Sequence, residues 1–96
     1  MSTEQIEVQV TNEHGLHARP AALFVQTAAR FQSDIRLRNL SKAGSRPVNA
    51  RSIMEVLTAG IDQGSRIELT AEGDDASDAL HALRELIEGR LSSPSS

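Results

Sequence analysis

The chain has 96 residues, 39% of them apolar, no cysteine and a formal net charge of −3. That length accommodates one small domain, and the missing thiols exclude a disulfide framework or a thiolate metal site while suiting a reducing cytosol. No apolar run approaches the roughly 20 residues of a membrane-spanning helix, and the polar first residues lack a signal-peptide core, so a soluble cytoplasmic protein is expected.

Residues 5–10 alternate, with Ile6, Val8 and Val10 on one side, which predicts a half-buried strand. Residues 11–15 read as a turn-like break. Over 18–31 the apolar positions Ala21, Phe24, Val25, Ala28 and Phe31 form a helical stripe, and Pro20 sits in the first turn, where a missing N–H costs little. Residues 34–40 alternate through Ile35 and Leu37, residues 41–45 make a hairpin loop, and 46–50 form a short second arm whose Pro47 marks a strand start or a sheet edge. Ser52-Ile53-Met54-Glu55 matches a capping box: Ser52 opens a short helix ending near Gly60, and Glu55 reaches back. Residues 66–72 alternate through Ile67, Leu69 and Ala71. Asp74 or Asp75 is then expected to cap a final helix with the stripe Ala76, Leu80, Leu83, Ile87. The domain spans residues 1–91, and 92–96 read as a disordered tail.

This β-α-β-β-α-β-α order with alternating strands predicts an α+β fold: a sheet with one wet face and helices packed on the other, an open-faced sandwich. The helices are too short to be stable alone in water, so burial against the sheet must hold them. The expected core is Phe24, Phe31, Ile35, Ile67, Leu69, Leu80 and Leu83, each contributing roughly 1.5–3 kcal/mol when fully buried.

Charge is segregated along the chain. From His14 to Met54 the basic residues Arg19, Arg30, Arg36, Arg38, Lys42, Arg46 and Arg51 face the single acid Asp34, whereas acids dominate from Glu55 onward. A basic face can steer an acidic protein partner. Phe24 and Phe31 are the only aromatics, too few for a base-stacking platform, so nucleic acid is not an expected ligand.

The most informative stretch is Gly15-Leu16-His17-Ala18-Arg19-Pro20-Ala21. Gly15 permits unusual backbone angles just before a helix, and His17 falls at an N-cap position that usually takes Ser, Thr, Asp or Asn. The first amides of a helix, here those of Ala18 and Arg19, have no intrahelical acceptors. Together with the positive helix end and the Arg19 guanidinium they form an anion cradle, with an imidazole placed beside it. That arrangement suits reversible phosphoryl transfer, which asks mainly for positioning and charge stabilisation. A metal pair of His14 and His17 lacks a third ligand, since His81 lies in the distant final helix. An independent hydrolase or kinase is disfavoured, for no Walker loop, nucleophile–base pair or metal cluster is legible.

These residues carry a family resemblance. Gly-Leu-His-Ala-Arg-Pro-Ala at 15–21, with Val25-Gln26-Thr27-Ala28, Phe31, Ser33 and Asp34, strongly resembles the active region of the HPr family. Val48-Asn49-Ala50-Arg51-Ser52-Ile53-Met54 is similar to that family's regulatory-serine region, and Gly60 and Gln63-Gly64-Ser65 continue the match. The resemblance implies a four-stranded antiparallel sheet with three helices on one face, and a place in the phosphoenolpyruvate-dependent sugar phosphotransferase system. In that system enzyme I would phosphorylate Nδ1 of His17, Arg19 would steady the phosphate, and sugar-specific IIA components would receive it. The likeness further implies a stoichiometric carrier rather than an enzyme, with no metal or cofactor; a monomer is the default expectation. Ser52 matches the serine modified by HPr kinase/phosphorylase, which adds that kinase and a catabolite-control transcription factor to the partners. Arg51, Ile53, Met54 and Leu57 would make the docking patch. A paralogue serving a nitrogen-regulatory or dihydroxyacetone-kinase branch, and a purely regulatory binding module, remain alternatives. The connection at 41–46 is longer than in the typical member, and Glu55 adds an acid to the second helix.

Overall fold

The computed structural model describes residues 2–91, so the tail expected at 92–96 lies outside the described residues. The strands β1 (Ser2–Gln9), β2 (Asp34–Asn39), β3 (Val48–Asn49) and β4 (Arg66–Gly73) pair antiparallel in the order β1-β4-β2-β3. Helix α1 (Ala18–Ala28) follows β1, α2 (Ile53–Thr58) follows β3, and α3 (Ala76–Glu85) follows β4. This is the predicted open-faced arrangement, with α3 against β1, β2 and β4, and α1 against α2 and α3.

Alternation along each strand decides which face is covered. In register, Val8 meets Ile67 and Ile6 meets Leu69, while Leu37 also meets Leu69 and Ile35 meets Ala71. These side chains point under the helices and close over Phe24, Leu16, Ile61 and Leu83, all fully buried. The opposite face is wet and charged. Glu7 and Glu68 stand directly opposite each other, a like-charge pair that would destabilise the ladder. Arg66 Nε at 3.2 Å from Glu7 and Arg38 Nη2 at 3.6 Å from Glu68 offset it.

Several boundaries and contacts differ from the sequence expectation. β1 begins at Ser2 rather than near residue 5, because its ladder with β4 continues to Ser2↔Gly73. Its first residues are exposed, so no apolar periodicity marked them. Val10 lies just past the strand, yet it is fully buried and exchanges backbone hydrogen bonds with Ser65 and Gly64. Six of the seven expected core residues are buried. Phe31 is the exception: α1 stops at Ala28, and the ring sits half-buried against the core with the Arg30 guanidinium 5.8 Å from its centroid. The final helix does not end as a plain α-helix, since Leu86–Arg90 form a π-helical turn that still buries Leu86 and Ile87.

Two caps also differ from expectation. Asp75 stands at the N-cap of α3 but makes no side-chain bond to that helix. Its carboxylate instead accepts from the Gln32 N–H (2.9 Å), the Ser33 N–H (3.0 Å) and the Ser33 hydroxyl, tying the α1–β2 turn to the start of α3. These donors, the Ser33 hydroxyl foremost, hold the Asp75 carboxyl below its ordinary value of 3.8. In α2, Ser52 Oγ accepts from the Glu55 N–H at 3.3 Å, as the capping box requires. The reciprocal half is absent: Glu55 Oε1 accepts from the Asn49 N–H at 3.0 Å, because the Ser52 N–H is already bonded to the Asn49 carbonyl. The capping box is thus opened outward to hold β3.

Candidate functional site

Local chemistry places His17 before it places any partner. The chain reaches the start of α1 through a turn in which Asn12, itself buried, donates from Nδ2 to the Gly15 carbonyl at 2.7 Å. Gly15 has φ +56°, and a Cβ there would lie 2.2 Å from the Ile61 carbonyl oxygen. Only glycine allows that approach. Leu16 is fully buried, and its N–H bonds the same Ile61 carbonyl at 3.0 Å. The 15–17 segment is therefore pinned against residues 61–62.

His17 is the N-cap of α1, extended at φ −116° and ψ 153°, with no side-chain bond to the helix amides. A Ser, Thr or Asp would spend its side chain on those amides; the imidazole leaves them to other ligands. Ala18 follows at φ +51°, a left-handed conformation that costs an L-residue roughly 1–2 kcal/mol. Nothing in the sequence marked it, since no glycine stands there. The anchoring of Leu16 and the locked ring of Pro20 flank it on either side, and such strain persists only where the surroundings enforce it.

The ring of His17 is 45% exposed, and its Nε2 lies 2.8 Å from Asp62 Oδ1. His17, Ala18 and Arg19 line one open depression together with Glu13, His14, Pro20, Asp62, Gln63 and Arg90. The three expected residues His17, Ala18 and Arg19 thus share one depression. Asp62 and Arg90 were not expected. Asp62 lies 45 residues from His17, in a turn closed by the Asp62 N–H to Ser65 Oγ and the Ser65 N–H to the Asp62 carbonyl, both at 3.0 Å. No local pattern could connect it to the imidazole. Among the described residues, no group of three or more His, Asp or Glu is placed to hold a metal ion.

The second region lies on α2, which packs beside α1. Ile53, Met54 and Leu57 are the exposed large apolar side chains among the described residues, with Met54 at 69%. Ser52 is half-buried at their edge. Arg51 is exposed, yet its guanidinium donates to the Phe31 carbonyl and, at 3.0 Å, to the Ser33 carbonyl. Those bonds tie Arg51 to the connection between α1 and β2.

Residues 4–89 match the family model described as the PTS HPr component phosphorylation site. HPr-C-His from Thermoanaerobacter tengcongensis superposes with a TM-score of 0.84 at 43% identity, over 94% of this chain and 97% of that one. The phosphocarrier protein HPr from Bacillus anthracis gives a TM-score of 0.82 at 45% identity, over 91% and 99%. The multiphosphoryl transfer protein of Salmonella typhimurium is 45% identical over 85 residues, 88% of this chain but 22% of that protein. The chain thus spans about a fifth of the length of the curated relatives it matches.

Proposed function

Because this chain belongs to the HPr family of the phosphotransferase system, we propose that it is a stoichiometric phosphoryl carrier acting through Nδ1 of His17. The group arrives from phosphorylated enzyme I and leaves to sugar-specific IIA components, in the cytoplasm and with no cofactor on the carrier. One observation supports this above the others: a half-exposed imidazole stands at the N-terminus of α1, in the same depression as the Arg19 guanidinium. The helix end and the guanidinium both favour a phosphate dianion there, and a carrier needs no further chemistry of its own. Incubating the protein with phosphoenolpyruvate and enzyme I should give an acid-labile phosphate that maps to His17 and is absent from His17→Ala. A wild-type protein that takes up no phosphate, or takes it up elsewhere, refutes the reading.

Ser52 supports a regulatory extension. A phosphate at this N-cap would sit at the favourable end of α2, so it should not melt the helix, and it would place two negative charges beside Ile53, Met54 and Leu57. Modification by HPr kinase/phosphorylase would then weaken docking with enzyme I and suit a catabolite-control transcription factor. A Ser52→Asp variant should lose enzyme I affinity while keeping its unfolding midpoint; unchanged affinity counts against this extension.

A further inference from the structure

We infer that Asp62 is a positioning residue for phosphoryl transfer, its carboxylate holding the proton of His17 on Nε2 so that Nδ1 presents the lone pair. The inference rests on the carrier reading above. Its geometry is the 2.8 Å contact between Nε2 of the imidazole and Asp62 Oδ1. A carboxylate can only accept, so the ring nitrogen facing it must be the one bearing hydrogen. In a neutral imidazole the other nitrogen is then the acceptor, and here that is Nδ1.

The same contact answers a charge problem that the rest of the site creates. In the transfer step the Nδ1 lone pair forms the new N–P bond, and the bond from phosphorus to the phosphorylated protein donor breaks with its electron pair leaving on the donor. The proton stays on Nε2, so the phosphorylated ring carries a positive charge. The positive end of α1 and the Arg19 guanidinium welcome the phosphate but oppose that ring charge. Of the charged groups lining the depression, Arg19 and Arg90 are cationic, and Glu13 is acidic but makes no hydrogen bond or ion pair with the ring. Asp62 is the acid in hydrogen-bond contact with the imidazole. It therefore supplies the counter-charge on the side of the ring remote from the phosphate, where it does not compete with the incoming dianion.

Both partners are partly solvated, so the effect is modest: about a two- to fivefold loss of transfer rate when the charge is removed. The test uses the full chain with enzyme I and phosphoenolpyruvate, together with 15N spectra of the His17 ring at neutral pH. Wild type should show a pyrrole-type Nε2 and a pyridine-type Nδ1. Asp62→Ala should raise the share of Nδ1–H tautomer and slow transfer, with backbone amide spectra confirming an intact fold. Asp62→Asn, whose amide oxygen still accepts from Nε2–H, should restore the tautomer but not the rate. A wild-type ring protonated on Nδ1, or an Asp62→Ala ring identical to wild type, overturns the inference. Full rate in Asp62→Asn removes the counter-charge role. A protein that shows the Asp62-dependent tautomer but accepts no phosphate refutes the carrier reading and leaves the positioning contact standing.

Discussion

The backbone of Ile61 lies so near Gly15 that it leaves no room for a side chain at the entrance to the site. Gly15→Ala would place a Cβ 2.2 Å from the Ile61 carbonyl oxygen, about 1 Å nearer than van der Waals contact allows, in a residue at φ +56°. The left-handed backbone costs an alanine about 1–2 kcal/mol, offset by about 0.4–1 kcal/mol from a stiffer unfolded chain. The clash cannot be relieved by turning a side chain, since the obstacle is backbone, and overpacking of this kind costs about 1–3 kcal/mol. The expected total is about 1–4.5 kcal/mol, a sizeable share of the roughly 5–15 kcal/mol that holds a small domain together. Gly44→Ala is the control, because Gly44 is also left-handed, at φ +76°, but a Cβ there meets nothing within 4 Å. Urea unfolding of both variants should therefore differ by about 1–3 kcal/mol, read from the midpoints at constant m-value. Relief of the clash must also separate residues 15–17 from 61–62, so the His17–Asp62 contact should weaken in the spectrum of the folded variant. Equal stabilities of the two variants would refute the claim that close backbone approach, rather than turn conformation alone, selects glycine at position 15.

Other perturbations probe the scaffold. Phe24→Ala empties the centre of the core, where the ring is fully buried, and should cost about 3–5 kcal/mol in urea unfolding. Ser52→Ala removes the acceptor for the Glu55 N–H and should cost about 0.5–2 kcal/mol; because Glu55 holds Asn49 rather than Ser52, Glu55→Ala should disturb β3 amides rather than α2 amides in hydrogen exchange. Asp75 gives a pH dependence with a definite sign. Its folded value lies below its ordinary 3.8, so its carboxylate stabilises the fold fully above that value, and the contribution fades as acid carries the pH down through the lower folded value. Unfolding free energies of wild type and Asp75→Asn should therefore converge in acid and separate near neutrality; a gap that widens in acid would contradict the assignment.

Local pattern determined a good deal of this protein. Alternation through Ile35 and Leu37, and through Ile67, Leu69 and Ala71, identified two central strands, and the helical stripe containing Ala21 and Phe24 identified α1. Pro20 marked the helix start, and Gly15 and the N-cap His17 marked the site, because a histidine at that position departs from the Ser, Thr, Asp or Asn an ordinary helix start would use. Such signals survive in one dimension since a face, a cap or a turn is decided by residues within a few positions of one another. The partners of polar side chains are decided otherwise. Asp62 reaches His17 across 45 residues and Asp75 reaches Ser33 across 42, while Glu55 chooses Asn49 over the neighbour a capping box would assign. Ala18 is left-handed between anchored neighbours, and Phe31 lies half-buried beyond the end of α1. Periodicity states which way a side chain faces, whereas chain closure decides what it meets there, and the charge beside the imidazole belongs to the second kind of fact.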